Sequence, residues 1–117
     1  GSVKAGFPAS VDEITDSLNI EQYLIKDKRN TYILEVDGKS MIDAHIDDGD
    51  MVIAERTSVA KDGDIVIAQV DGEFTMKYLR KTGTTVWLEP ANKDFKPIYP
   101  KHDLQIAAVV RGVIRKY

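Results

Sequence analysis

The chain has 117 residues and a mass of 13.1 kDa, which is the size of one domain with a single hydrophobic core. Hydrophobic residues make up 43% and charged residues 30%, a globular composition that excludes a disordered chain, a collagen-like fibre and a coiled coil. No apolar run approaches the roughly 20 residues that cross a bilayer, cysteine is absent, and the net charge of −3 does not by itself indicate nucleic-acid binding.

The beginning of the chain is predicted to have two parts before the domain. Gly1 and Ser2 have the appearance of residues left by cloning, and we exclude them from the fold. Residues 3–10 are predicted to form an extended arm, because Pro8 disfavours helix at the residue before it. The remainder, residues 11–117, is predicted to form one domain.

The rest of the chain is predicted to consist mainly of short strands. A short helix over residues 20–25, with Asn19 as its N-cap, precedes them. β-Branched and aromatic residues dominate the later segments, and turn residues such as Asp-Gly separate them. This pattern favours a mostly β fold of curved, antiparallel, partly barrel-like sheets with little helix. The predicted strands cover residues 31–36, 51–54, 65–70, 73–79, 84–89 and, as one long or two short strands, 104–117.

A serine directly after the first predicted strand has two possible roles. Ser40 opens a possible helical turn over residues 40–43, and a cap is the commoner role of serine at such a place. The same position sets a hydroxyl beside free backbone N–H groups, which can stabilise an oxyanion. A nucleophilic serine needs a base, and because His45 and His102 are poorly placed, that base would have to be a lysine.

Lys77 lies inside an otherwise apolar predicted strand. Because side chains alternate along a strand, Thr75, Lys77 and Leu79 share one face. A strand lysine usually lies on the polar, half-exposed side of a sheet. If this face is buried instead, desolvation lowers the pKa of the amine, and a neutral amine is a competent general base.

Three segments, taken in their order and spacing, resemble the LexA/UmuD family of self-cleaving peptidase domains, which share a fold with signal peptidase. The resemblance covers residues 5–117. The first segment is similar to the family's Ala-Gly cleavage site, the second to its nucleophile segment and the third to its lysine hairpin. They are Ala5-Gly6-Phe7-Pro8, then Gly38-Lys39-Ser40-Met41-Ile42-Asp43 with Asp48-Gly49-Asp50, and then Gly63-Asp64-Ile65-Val66-Ile67-Ala68 through Phe74-Thr75-Met76-Lys77.

The resemblance implies a catalytic pair. Ser40 is expected to be the nucleophile and Lys77 the general base. Backbone N–H groups at Ser40 and Met41 are expected to hold the oxyanion, and Thr75 is expected to orient the amine. Lys39 replaces an acidic residue that often precedes the serine in the family, a change that leaves these expected roles intact.

The resemblance also places the cut bond between Ala5 and Gly6 of the same chain. The small Ala5 suits a tight pocket on the acyl side, and Gly6 lets the backbone turn sharply where the nucleophile attacks. Val3 is expected to anchor an arm that docks as an added strand. Lys4 replaces a small residue that is common in the family before the alanine, and its side chain is expected to face solvent.

Two types of family member fit the chain. Segments 6–8 and 70–75 look more like a UmuD-type accessory subunit of a translesion DNA polymerase. Segments 88–92, 95–98 and 112–117 look more like a LexA-type repressor of the SOS response to DNA damage. We favour the LexA type, which implies a DNA-binding helix-turn-helix domain upstream of this sequence.

The resemblance implies several partners. These are a second copy of the chain in a homodimer and an activated RecA-type filament on single-stranded DNA. Operator DNA would be contacted only through the upstream domain of a LexA-type protein, and a translesion polymerase only by a UmuD-type protein. We expect no cofactor, no metal and no membrane contact, and the absence of cysteine fits a cytoplasmic protein.

A third interpretation is a dimerisation module without enzymatic activity. The apolar tail, residues 106–114, could pair with its twin across a two-fold axis. Because the domain also dimerises in the family that it resembles, the enzymatic and dimerising roles are compatible.

Overall fold

The computed structural model describes residues 17–117, and the predicted arm over residues 3–10 lies outside that range. The first described element is the predicted short helix, α1 (Ile20–Leu24). The side chain of Asn19 caps it by accepting a hydrogen bond from the backbone N–H of Gln22 at 3.0 Å. Within the described range, no helix is long and apolar enough to cross a bilayer.

Within residues 17–117, six antiparallel strands form one sheet, which confirms the prediction of a mostly β fold. Their spatial order is β1-β2-β6-β3-β4-β5, so in the described part of the chain β1 and β5 are the two edges and the sheet stays open. The strands are β1 (Thr31–Glu35), β2 (Met51–Arg56), β3 (Ile65–Val70), β4 (Glu73–Thr82), β5 (Thr85–Glu89) and β6 (Leu104–Ile114).

The long strand β6 joins the two halves of the sheet at different parts of its length. Its residues 108–114 pair with β2, whereas residues 104–109 pair with β3. Each ladder contains one shift of register, and such bulges bend a strand and increase its twist. The apolar tail is therefore one bent strand rather than two short ones.

A two-residue turn between β3 and β4 sets the position of Lys77. Asp71 and Gly72 both have positive φ, 47° and 91°, as the type I′ hairpin turn requires. A turn of this kind determines the register of its two strands, which here places Lys77 opposite Val66. The hairpin turn predicted at Asp71-Gly72 is thus confirmed, and through the strand register it determines which residue lies opposite Lys77.

Two apolar clusters form the core, and the second one joins the loop that carries Ser40 to the strand that carries Lys77. Met41 follows the serine and is 1% exposed, and Met76, which precedes the lysine, packs against the same cluster. Full burial of such a side chain stabilises the fold by roughly 1.5–3 kcal/mol. The first cluster comprises Val66, Ala68, Val70, Leu79, Leu88 and Val109, and the second comprises Val36, Met41, Ile46 and Val52.

The loop between β1 and β2 is closed at its base by an ion pair. Asp50 is 3% exposed, and its carboxylate accepts hydrogen bonds from Nε and Nη2 of Arg115, both at 2.7 Å. It also accepts one from the backbone N–H of Asp47, and the Asp50 carbonyl accepts one from the N–H of Val36, both at 2.8 Å. The hydrogen bonds from Arg115 and Asp47 lower the pKa of Asp50 to about 2.

We predict that Asp50→Asn lowers the midpoint of thermal unfolding at pH 7 by roughly 5–10 °C, because it weakens a bidentate, charge-assisted contact. The folded-state pKa of Asp50 lies below the usual 3.8, so its stabilising contribution is complete above about pH 4 and is lost as the pH falls towards about 2. Thermal unfolding measured between pH 2 and 7 should therefore show the parent losing its advantage over the variant in that interval.

The control is Asp62→Asn, which breaks an ion pair with Arg80 in which both side chains are well exposed. Exposed pairs contribute little to stability, so this variant should unfold close to the parent. Equal losses in the two variants would contradict the role assigned to Asp50.

Candidate active site

Ser40 lies in the loop between β1 and β2, immediately before Met41. The helical turn predicted over residues 40–43 is a short 3₁₀ turn, Ile42–Ala44. Gly38 has φ of 101°, which residues with a Cβ adopt at a cost, and its N–H donates to the carboxylate of Asp48 at 2.7 Å. The glycine turn on one side and the buried Met41 on the other hold the serine at the surface of the core, where it is half-buried.

Lys77 is a buried lysine, 8% exposed. Of the two possibilities that the sequence left open for its face, the buried one is correct, because Leu79 and the opposing Val66 are buried on the same side. Desolvation by this burial lowers the pKa of the Lys77 amine below its ordinary 10.5. Within residues 17–117, no carboxylate forms a salt bridge with the amine to oppose this effect.

Two oxygens orient the Lys77 amine. Its Nζ donates to Oγ1 of Thr75 at 2.6 Å and to the carbonyl of Met76 at 3.1 Å. A neutral amine has two N–H donors and one lone pair. With both donors engaged by these oxygens, the lone pair is directed away from them, which is the arrangement that a proton acceptor needs.

Ser40 and Lys77 line one cavity of about 250 Å³. In the described part of the chain no hydrogen bond joins the Ser40 hydroxyl to the Lys77 amine, so the two groups share the cavity without that direct contact. Met41 and Thr75 also line the cavity, and the apolar lining comes from β1, β2, β3, β4 and the loop that follows β1. The apolar lining residues include Leu34, Val36, Val52, Ile67, Phe74 and Met76.

Two backbone donors are available beside the serine. Among the described residues, neither the N–H of Ser40 nor that of Met41 donates to a protein acceptor. Both residues line the cavity, and adjacent free N–H groups can bind a carbonyl oxygen or an oxyanion. The structure thus brings together the four predicted site residues that it describes. Val3, Lys4, Ala5 and Gly6 lie outside the described residues.

Sequence reasoning missed the segment after β5, which binds the loop that carries Ser40 through backbone and side-chain hydrogen bonds. The backbone N–H of Ala91 donates to the carbonyl of Ser40 at 2.8 Å, and Nδ2 of Asn92 donates to the carbonyl of Lys39 at 2.8 Å. The N–H of Asp43 donates back to the carbonyl of Ala91 at 2.7 Å. The only signal in the sequence was the likeness of segment 88–92 to one family type, which says nothing about these contacts.

The histidines take no part in the cavity described above. His45 ends the 3₁₀ turn with φ of 63°, and the backbone N–H of His102 donates to the carboxylate of Asp71. Within the described residues, no group of three or more His, Asp or Glu side chains is arranged to hold a metal ion.

Comparisons with known proteins give a consistent picture. The Peptidase S24-like family matches residues 1–111. A LexA repressor of Clostridium novyi is 39% identical over 119 residues, covering 100% of this chain and 58% of that protein. LexA repressor 2 of Nocardia farcinica is 42% identical, with 99% and 47% covered, and a LexA repressor of Thermotoga petrophila is 38% identical, with 99% and 60% covered. The chain thus spans about half the length of these relatives.

We predict that Lys77→Met changes how stability depends on pH. The folded-state pKa of Lys77 lies below the unfolded value of about 10.5, so between the two values the unfolded chain holds a proton that the folded chain has released. Stability of the parent should therefore rise with pH through that interval, whereas the variant has no such contribution. Urea unfolding at pH 7, 9 and 10 should show the variant more stable at pH 7 and the difference narrowing as the pH rises.

The matched control is Lys81→Met, which removes an exposed lysine from the same strand. Its stability should follow the pH dependence of the parent. Parallel curves for the parent and for Lys77→Met would contradict the burial cost assigned to this amine.

Proposed function

Since the chain belongs to the Peptidase S24-like family, we propose that it is a LexA-type self-cleaving serine peptidase domain, in which Ser40 and Lys77 cut the Ala5–Gly6 bond of the same chain. The observation that carries this proposal is a buried lysine amine that lines the same cavity as Ser40, beside two backbone N–H groups that have no acceptor among the described residues. Burial supplies the neutral amine that serine activation needs in place of a histidine.

The first half of the reaction forms an ester. The neutral amine of Lys77 takes the proton of the Ser40 hydroxyl. At the same time, Oγ of Ser40 bonds to the carbonyl carbon of Ala5. The carbonyl oxygen becomes an oxyanion beside the N–H groups of Ser40 and Met41. The tetrahedral intermediate then collapses, the C–N bond to Gly6 breaks, and the ammonium of Lys77 returns its proton to the departing amine.

The second half of the reaction releases the arm. A water molecule gives a proton to the amine of Lys77 and bonds to the ester carbon. Collapse of the second tetrahedral intermediate breaks the bond to Ser40 Oγ, which recovers the proton from Lys77. The products are a short segment that ends at Ala5 and a domain that begins at Gly6, with both side chains restored.

Tethering of the arm favours this reaction over cleavage of another protein. Because the scissile bond belongs to the same chain, a docked arm has a high effective concentration at the cavity. The rate then depends on the fraction of time that the arm is docked and on a rearrangement that brings the Ser40 hydroxyl into contact with the Lys77 amine. A partner that binds the docked state best, such as an activated RecA-type filament on single-stranded DNA, accelerates cleavage by shifting that population.

The biological role that we propose is that of a cytoplasmic SOS repressor inactivated by its own cleavage. The three relatives compared above are named LexA repressors, which favours this type over a UmuD-type polymerase subunit. Operator DNA would be bound by a domain upstream of this one. Cleavage at Ala5–Gly6 would then separate the DNA-binding domain from the domain described here, whereas in a UmuD-type protein the same cleavage would activate a polymerase subunit.

We also propose that the domain forms a homodimer, which is compatible with peptidase activity. Met51, Val113 and Ile114 lie together at one end of the β2–β6 ladder and are each about two-fifths exposed. Within the described residues, 110–114 is the part of β6 that has no strand partner on the side away from β2. The predicted dimer contact covered residues 106–114, and we now propose that two copies of the chain meet through residues 110–114 only.

The first test is the appearance of a new N-terminus. Incubation of the purified chain at alkaline pH should produce a fragment that begins at Gly6, as measured by intact-mass spectrometry. Ser40→Ala should abolish the fragment, and Lys77→Ala should lower its rate of formation by roughly 10³-fold, the contribution typical of a general base. Lys81→Ala, on the same strand but exposed, is the matched control and should cleave like the parent.

Two results would reject the peptidase assignment. If the parent chain stays uncleaved at every pH, the only remaining interpretation is a dimerisation module without enzymatic activity. Cleavage of Lys77→Ala at the parental rate at high pH would remove the lysine from its role as general base.

The second test concerns the orienting hydroxyl. Thr75→Val removes the oxygen that lies 2.6 Å from Nζ of Lys77 and nearly preserves the side-chain shape. We expect the cleavage rate to fall by roughly tenfold, because the amine loses one of its two oriented contacts. Thr75→Ser, which keeps the oxygen, should retain most of the parental rate, and a valine variant that cleaves normally would exclude this role.

A further inference from the structure

We infer that Asn92 is a positioning residue of the self-cleavage site, acting through the peptide group that joins Lys39 to Ser40. The inference rests on the proposed function and adds to it a residue from a distant part of the chain. Asn92 follows β5 and is separated from Lys39 by 53 positions. Its side chain does not act on the reacting atoms, but it determines where a neighbouring backbone donor points.

The first step of the argument is the pair of hydrogen bonds that hold two consecutive carbonyls. Nδ2 of Asn92 donates to the carbonyl of Lys39, and the backbone N–H of Ala91 donates to the carbonyl of Ser40, both at 2.8 Å. Two adjacent residues of one segment thus bind two adjacent peptide groups of the serine loop. This pairing fixes the orientation of both peptide planes.

The second step follows from the planarity of the peptide bond. In a trans peptide the N–H points in the direction opposite to the carbonyl. Because the carbonyls of Lys39 and Ser40 point towards residues 91–92, the N–H groups of Ser40 and Met41 point away from that segment. In the described range these are the two donors beside the serine that lack a protein acceptor, and both residues line the cavity.

The third step is that the Asn92 side chain has only one workable orientation. Its Oδ1 accepts a hydrogen bond from the backbone N–H of Asp94 at 2.9 Å, while its Nδ2 donates to Lys39. Rotation of the amide by half a turn would set oxygen against the Lys39 carbonyl and NH₂ against the Asp94 N–H, so both contacts would become repulsive. Asn92 therefore connects its own turn firmly to the serine loop.

The anchoring of this segment explains why it can impose an orientation on the loop. Leu88 and Ile98 exchange two backbone hydrogen bonds, at 2.8 and 2.9 Å, which close the segment between them. The carbonyl of Ala91 also accepts the N–H of Asp43, so the serine loop is bound on both sides of Ser40. A donor held in this way needs no reorientation when negative charge develops on the scissile carbonyl oxygen.

Asn92→Asp tests the inference with a nearly isosteric change. The carboxylate keeps an acceptor for the N–H of Asp94 but turns an oxygen towards the carbonyl of Lys39. We expect the self-cleavage rate on its high-pH plateau to fall by roughly 10- to 100-fold, somewhat less than the loss of a whole oxyanion donor. The pH midpoint of cleavage is compared in Asn92→Ala, which adds no charge near the Lys77 amine. It should equal that of the parent, because the general base lies on β4 and makes no hydrogen bond to Asn92.

Asn19→Asp is the matched control, since it adds the same charge and aspartate caps a helix as well as asparagine does. It should cleave at the parental rate. If Asn92→Asp does not fold, as judged by its circular dichroism and thermal unfolding, Asn92→Ala replaces it. That variant removes the donor without adding charge and should slow cleavage by about tenfold with an unchanged pH midpoint.

The outcomes separate this inference from the proposed function. A folded Asn92 variant that cleaves at the parental rate, while Ser40→Ala is inactive, overturns the positioning role and leaves self-cleavage standing. A shifted pH midpoint in Asn92→Ala, which adds no charge, also overturns it, because the substitution would then act on the general base. If the parent itself forms no Gly6 fragment at any pH, the proposed function fails and the inference fails with it.

Discussion

The burial of one lysine amine, with no carboxylate among residues 17–117 forming a salt bridge to it, is the constraint on which the proposed chemistry depends. A charged amine in that position is costly, so the fold favours the neutral form of Lys77, and its two oxygen partners leave the lone pair directed away from them. In the proposed mechanism, the same burial that costs stability at neutral pH supplies the base without histidine. Desolvation of this amine therefore lowers the stability of the fold at neutral pH and, in the proposed mechanism, raises the reactivity of the site.

The serine side of the cavity is organised by contacts that come from three other parts of the chain. Arg115 closes the base of the loop through Asp50, and the segment at Ala91 and Asn92 holds the carbonyls around Ser40. The buried cluster that contains Met41 also packs against Met76, next to the lysine. The backbone around each proposed catalytic residue is therefore positioned by contacts that its sequence neighbours make.

The absence of a hydrogen bond between Ser40 and Lys77 in the described structure fits the proposed self-cleaving role, in which the activity must be held back until it is needed. A self-cleaving chain that reacted immediately could not serve as a repressor. In the proposed mechanism, docking of the arm and the final approach of the hydroxyl to the amine are separate equilibria, and a partner can act on either. Regulation then needs only a small change in population, because the cavity and its backbone donors are already formed.

The sequence by itself determined the local elements: the strands β1 and β3, the Asn19 cap and the Asp-Gly turn that sets the register of Lys77 all depend on neighbouring residues. Its resemblance to a family also pointed to the serine and the lysine that we propose as the catalytic pair. Only the tertiary structure decided which face of β4 is buried and that Asn92 binds the serine loop. Alternation along a strand defines two faces without saying which one meets the core, and a contact across 53 positions leaves no periodic pattern in the sequence.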